Sequence, residues 1–154
     1  MVKSYQGDGR KKIKQVEVQP FLVSDYMATN LITFHPEQLI DEVMTLLLEH
    51  KISGGPVINE HGELVGVISE GDCLKDVVKG KYHNIPILTG TVKDYMANDV
   101  VHIAPDCDVF EAAHKFLSMR YRRFPVIKDG KLVGQVSQRD IIKAVIKMKS
   151  PTWP

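Results

Sequence analysis

A chain of 154 residues, 44% apolar and 25% charged, can form one domain that buries roughly 70% of its unfolded surface without disulfide or metal staples. No apolar run approaches the ~18 residues of a membrane span, and residues 1–20 lack the apolar centre of a secretory leader. The formal charge of +1 conceals an uneven spread: residues 1–20 hold five Lys/Arg against two acids, 21–79 three against ten, and 80–154 twelve against seven.

Residues 1–20 read as a basic arm carrying Arg10-Lys11-Lys12 and Lys14. Such an arm is a solvated segment or one that wraps a partner. Nucleic-acid binding is not expected, because no winged-helix or similar domain accompanies it. From residue 21 the chain repeats itself. Asp25-Tyr26-Met27-Ala28 returns 69 residues later as Asp94-Tyr95-Met96-Ala97, and Pro56-Val57-Ile58 returns at the same interval as Pro125-Val126-Ile127. Leu64-Val65-Gly66 and the Ser69/Asp72 pair come back 68 residues on, as Leu132-Val133-Gly134 and Ser137/Asp140. This is a tandem duplication, and a unit too small to bury its own core packs on its twin.

Within each copy the periodicities set the elements. A short strand is predicted over 31–34 and again over 100–103. Ile40, Val43, Met44, Leu47 and Leu48 then fall at i, i+3, i+4, i+7 and i+8, the stripe of an amphipathic helix; Val109, Ala112, Ala113, Phe116 and Leu117 repeat it. Each helix follows a proline, Pro36 or Pro105, with acids near its start (Glu37 and Asp41; Asp106 and Asp108), where the helix dipole favours them. A strand pair follows. In the second copy it turns through Asp129-Gly130, a dipeptide that accepts positive φ; in the first it turns through Asn59-Glu60-His61-Gly62, where the interval drops from 69 to 68. A second helix closes each unit, with Cys73, Leu74, Val77 and Val78 matching Ile141, Ile142, Val145 and Ile146. Residues 80–90 connect the copies, 21–79 and 91–149, and 150–154 form a Pro-rich tail in which Trp153 docks on a neighbour or dangles.

Asp-Tyr-Met, Pro-Val-Ile, Leu-Val-Gly-x-x-Ser and Ser-x-x-Asp, in that order and twice, resemble a cystathionine-β-synthase (CBS) domain pair, or Bateman module, over about residues 21–149. The resemblance implies an α/β (α+β) fold of two β-α-β-β-α repeats packed with pseudo-twofold symmetry. It further implies a regulatory module rather than an enzyme, often dimerising into a flat disc and signalling to a protein effector. Its ligand is an adenosine-containing molecule (AMP, ADP, ATP or S-adenosylmethionine) held between the repeats, with no other cofactor required.

Carried over residue by residue, the resemblance gives Asp140 and Asp72 the ribose hydroxyls, and Ser137 and Ser69 the phosphate. A carboxylate accepts from both vicinal hydroxyls, and free amides at a helix start favour an anion. The same Ser-x-x-Asp pattern is also a capping pair, which the helix needs whether or not a ligand comes. The copies differ around it. Arg120, Arg122, Arg123 and Arg139 in the second stand where the first has Lys51, Ser53, Gly54 and Gly71, and Gln138 replaces Glu70. Guanidinium groups bind phosphate oxygens through paired donors, so the second cleft is favoured for a phosphorylated ligand. Adenine is expected in an apolar slot of Val100, Val101 and Pro125; the first-copy equivalent, with Leu31, Ile32 and Pro56, is the weaker site. The other reading of these arginines is a solvated face, or pairing with the acidic half.

Other chemistry finds little support. The six histidines form no His-x-x-x-His pair, neither cysteine has a Cys-x-x-Cys partner, and no nucleophile elbow, Walker loop or dinucleotide fingerprint occurs. Cys73 reads as a small core residue and Cys107 as an exposed thiol, which fits the reducing cytoplasm. His35, after the first short strand, is placed to reach a phosphate across the pair. The expectation is a cytoplasmic, homodimeric adenine-nucleotide sensor; the alternative from another class is a purely structural dimerisation module with no ligand.

Overall fold

The computed structural model describes residues 21–80 and 88–149. The basic arm, most of the connection between the copies, and the tail with Trp153 lie outside the described residues. In the first copy helix α1 spans Ile40–His50, strands β1 and β2 span Gly54–Ile58 and Leu64–Ser69, and helix α2 spans Glu70–Lys79. The second copy is preceded by a short helix α3, Val92–Tyr95, and continues with α4 (Val109–Met119), β3 (Arg123–Lys128), β4 (Lys131–Ser137) and α5 (Gln138–Lys149). A 3-10 turn at Val23–Asp25 occupies the place in the first copy that α3 occupies in the second.

Both hairpins are antiparallel, and both carry a register shift at the same point, Val57/Ile58 and Val126/Ile127. The turns differ as the residues require. Asp129 and Gly130 take φ of 52° and 80°, whereas Asn59 uses its side-chain oxygen to accept from the amides of His61 and Glu63 at 2.9 and 3.0 Å. The predicted first strands shrink to single parallel bridges, Phe34 to Val57 and Ile103 to Val126. Phe34 donates its amide to the Pro56 carbonyl and accepts from Ile58; His35-Pro36 then turns the chain away before a second pair forms. Each copy therefore holds a two-stranded sheet with one residue added at its edge.

The cores cross between the copies. Val92, Tyr95 and Met96, from the lead segment of the second copy, pack with Phe34, Ile40, Val43 and Val57 of the first. Val23, Tyr26 and Met27, from the lead segment of the first, pack with Ile103, Val109, Phe116 and Phe124 of the second. The backbone seals the exchange: Ala28 and Gln135 exchange both hydrogen bonds at 2.8 and 2.9 Å, and Ala97 and Val67 do so at 2.9 and 3.0 Å. The repeated motifs thereby explain one another. The glycine of each Leu-Val-Gly lies under the methionine of the other copy's Asp-Tyr-Met: a Cβ on Gly66 would stand 2.7 Å from Met96 Sδ and 2.8 Å from the Ala97 carbonyl, and Gly134 faces Met27 and Ala28 in the same way.

The helical stripes are wider than the cores they serve. Ile40, Val43 and Leu47 are buried, as are Val109, Ala112 and Phe116, but Leu48 is 77% exposed and Leu117 is 81% exposed. Leu74, Val78, Ile142 and Ile146, matched apolar positions of the closing helices, are exposed as well. The helices α1 with α2, and α4 with α5, cover one side of their hairpin and leave an apolar ridge outside.

Candidate functional site

The Ser-x-x-Asp motifs sit where a strand ends and a helix begins, and both form complete capping boxes. Asp72 Oδ2 accepts from the Ser69 amide (2.9 Å) and hydroxyl (3.0 Å), while Ser69 Oγ accepts from the Asp72 amide at 3.3 Å. Asp140 repeats this with Ser137 at 2.8, 3.0 and 3.2 Å. A cap of this kind stabilises a helix by about 1 kcal/mol. One oxygen of each carboxylate remains for other work. In the first copy Lys75 takes it, at 3.3 Å from Asp72 Oδ1; among the described residues nothing takes Asp140 Oδ1.

Each helix start is also tied to the loop before its own hairpin. The Glu70 amide donates to the Ser53 carbonyl at 2.9 Å, and the Gln138 amide to the Arg122 carbonyl at 3.3 Å. Gln138 adds a side-chain bond to the Tyr121 carbonyl at 3.2 Å, which a Glu at that position cannot donate. Ser53 and Arg122 thus hold equivalent places and face the middle of the molecule.

There the two hairpins enclose a cavity of about 150 Å3, lined from the first copy by Ser53, Gly54, Pro56, Val67 and Ser69, and from the second by Arg122, Arg123, Pro125 and Gln135. The structure therefore joins residues that the sequence assigned to separate clefts: the arginines and Pro125 of the second set meet Ser69 and Pro56 of the first. Arg122 is exposed and Arg123 half-buried, and neither has a carboxylate partner among the described residues. The pairing of these arginines with the acidic half is thus not what the structure forms.

Other candidates lie around the cavity rather than in its lining. Ser137 and Asp140 are half-buried at the start of α5, and Arg139 is exposed beside them. Arg120 ends α4 in the left-handed conformation, φ 59°, as Lys51 ends α1 at φ 54°. Val101 packs on the second core and Ile32 on the first, with the Ile32 carbonyl against Gly55; Leu31 and Val100 are half-buried. Val67 and Gln135 were not singled out from the sequence. The signal was there: each stands two residues before the motif serine, so a strand presents both on one face.

The cysteines offer no nucleophile. Burial first, then the charges of Asp72, Asp76 and Glu70, pushes the Cys73 thiol up to about 11. Cys107 is half-buried rather than exposed, because the first lead segment covers it: the Val23 amide donates to the Cys107 carbonyl at 2.8 Å. Burial raises its pKa too. His35 is committed locally, with Nδ1 3.1 Å from the Ile58 carbonyl. Among the described residues no cluster of metal-ligating side chains occurs, and no helix is long and apolar enough to cross a membrane.

Comparison with known proteins agrees with this architecture. The chain matches the CBS domain family twice, over residues 23–79 and 92–147. An uncharacterized protein of Methanocaldococcus jannaschii is 31% identical over 157 residues, covering 81% of this chain and 91% of that one. The chloroplastic CBS domain-containing protein CBSX2 of Arabidopsis thaliana is 28% identical, covering 86% of this chain and 66% of the relative; another M. jannaschii relative is covered over 41% of its length. The crystal structure of CBSX2 in complex with AMP superposes with a TM-score of 0.72 at 30% identity, covering 84% of this chain and 98% of that one. A CBS domain pair in complex with 5'-methylthioadenosine and S-adenosylmethionine gives a TM-score of 0.68 at 29% identity, covering 85% of this chain and 99% of that one. With two matched copies and a shared fold, the chain belongs to the CBS domain family as a tandem pair.

Proposed function

We propose that the protein is a regulatory module that binds an adenosine-containing ligand between its repeats and passes the binding on to a protein effector. The observation that carries this is the placement of Arg122 and Arg123, free of carboxylate partners among the described residues, opposite Ser53, Gly54 and Ser69 of the other copy. The site is mixed: guanidinium groups from the basic half supply phosphate contacts, small residues of the acidic half leave room, and Asp140 offers its free Oδ1 to the ribose. AMP bound to CBSX2, and S-adenosylmethionine bound to a second relative, support the ligand class. The cavity of about 150 Å3 is below the ~300–1,000 Å3 of small-molecule sites, so the exposed Arg122 swings outward when a nucleotide enters.

Titration calorimetry with AMP, ADP, ATP and S-adenosylmethionine tests the reading. Binding is expected with at least one phosphorylated member, weakened roughly tenfold or more by Arg123→Ala and by Asp140→Ala. No heat with any of the four overturns the sensor and leaves a structural dimerisation module. A larger effect of Asp72→Ala than of Asp140→Ala overturns the preference for the second copy's carboxylate.

The same reading places the module in the cytoplasm, supported by its two free cysteines, as a homodimer. The unpartnered ridge of Leu48, Leu74 and Val78 on the acidic half, and of Leu117, Ile142 and Ile146 on the basic half, supports a second copy as the occupant, packed head to tail. Light scattering of Leu117→Asp checks this: a monomer is expected, and an unchanged dimer overturns the assignment.

A further inference from the structure

The two halves treat the turn end of the hairpin differently. In the first half two exposed side chains lie across it. His35 Nδ1 donates to the Ile58 carbonyl at 3.1 Å, and Lys93, arriving on the second copy's lead segment, pairs with Glu37 at 3.1 and 3.2 Å. An imidazole and an ammonium thus occupy a carbonyl and a carboxylate.

In the second half both donors are missing and both acceptors remain. Ala104 stands in place of His35 and Ser24 in place of Lys93, while Asp106 keeps the carboxylate of Glu37 and Ile127 the carbonyl of Ile58. The residues left behind line a groove of about 600 Å3, within the range of small-molecule sites. Leu22, Met27, Ile127 and Val133 make it apolar, and Asp106 and Asp129 outnumber Lys128 at its rim. Asp106 has no ion-pair partner among the described residues, in contrast to Glu37. The groove shares no lining residue with the central cavity.

We propose that this groove is a second ligand site, for a small cationic amine that joins an ammonium to a short apolar body or an N–H-bearing ring. The two side chains that lie across the first half's turn end act as the template: the ammonium sits on Asp106 as Lys93 sits on Glu37, and the ring enters over Met27 toward the Ile127 carbonyl as His35 reaches Ile58. Charge selects the ammonium, and the apolar wall accepts the body. This site goes beyond the adenosine cleft, and either stands if the other fails.

Histamine carries both template groups and is the probe. Full-length protein labelled at its Met and Ile methyl groups is titrated with histamine at neutral pH and followed by NMR. Saturable shifts are expected at Met27 and Ile127, with the counterparts Met96 and Ile58 unmoved as the internal control. Asp106→Asn is expected to weaken binding roughly tenfold. The double substitution Ser24→Lys with Ala104→His rebuilds the first half's pair and is expected to abolish the shifts; unmoved Met96 and Ile58 signals show that it remains folded. Absence of saturable shifts, equal shifts at both sets of methyl groups, or undiminished binding in the double variant would each overturn the proposal.

Discussion

The start of α2 and the start of α5 carry the same Ser-Asp capping box to within 0.1 Å, yet Asp72 is claimed by Lys75 and Asp140 keeps an oxygen free. The same division runs through the molecule. In the first copy Glu37 is paired with Lys93, His35 is bonded to Ile58, and Asp76 lies buried with the Tyr95 hydroxyl at 2.7 Å and the Gly90 amide at 3.3 Å. Among the described residues the second-copy counterparts Asp106, Ala104 and Ala144 make none of these bonds, and Tyr26 stacks on Phe21 with ring centroids 6.1 Å apart and has Lys147 6.0 Å from its ring. The lesson is that duplication preserves twice what the fold needs, while polar groups that one copy ties up internally are released in the other.

The largest expected effect tests the shared part. Gly66→Val and Gly134→Val each put a side chain into the methionine and carbonyl that cross over them, so each should cost about 3 kcal/mol in urea unfolding. Equal losses confirm that the two crossings are equivalent; a loss at one alone breaks the symmetry. Next comes the buried latch of the first copy. Asp76→Ala orphans the Tyr95 hydroxyl and the Gly90 amide and should cost about 2 kcal/mol by the same measurement. A cost near zero means that the latch only decorates the core.

The latch also predicts a pH dependence found in the first copy. The hydrogen bond to Asp76, reinforced by burial and by the charges of Asp76 and Asp94, pushes Tyr95 from 10.0 up to about 12. A group whose folded pKa is raised contributes stability below its unfolded pKa and loses it as pH rises, here between 10 and about 12. Unfolding of the parent protein should weaken across that window, and Tyr95→Phe should flatten the loss. The smallest effect belongs to the Lys75–Asp72 bridge, whose lysine is largely exposed. Lys75→Ala should change stability by less than about 0.5 kcal/mol, but it should free Asp72 and make the first copy's carboxylate resemble Asp140 in ligand titrations.

Much of this was legible in the residues. Alternating and helical periods placed both hairpins and all four long helices, and the interval change from 69 to 68 located the turn that differs. The ends of the elements were less legible. Residues 31–34 look like a strand from composition, but a parallel strand needs a partner that persists, and His35-Pro36 removes it after one bridge. The apolar stripes hid a second purpose, because periodicity reports which residues avoid water and not which surface covers them: Leu48 and Leu117 continue the stripe and remain outside the core.

Repetition in the sequence alone determined that there are two units, that each contains a capped helix after a hairpin, and that the bases concentrate in the second. Local chemistry suffices for these, since turns, caps and periods act over a few residues. Only the tertiary structure decided that each lead segment belongs to the other unit's core, and that Arg122 and Arg123, beside Ser137 on their own hairpin, also meet Ser69 of the other copy across the central cavity. Two identical Asp-Tyr-Met-Ala segments carry no label for one partner over the other. The choice is made by chain connectivity and by the glycines and strand edges that each segment meets on crossing.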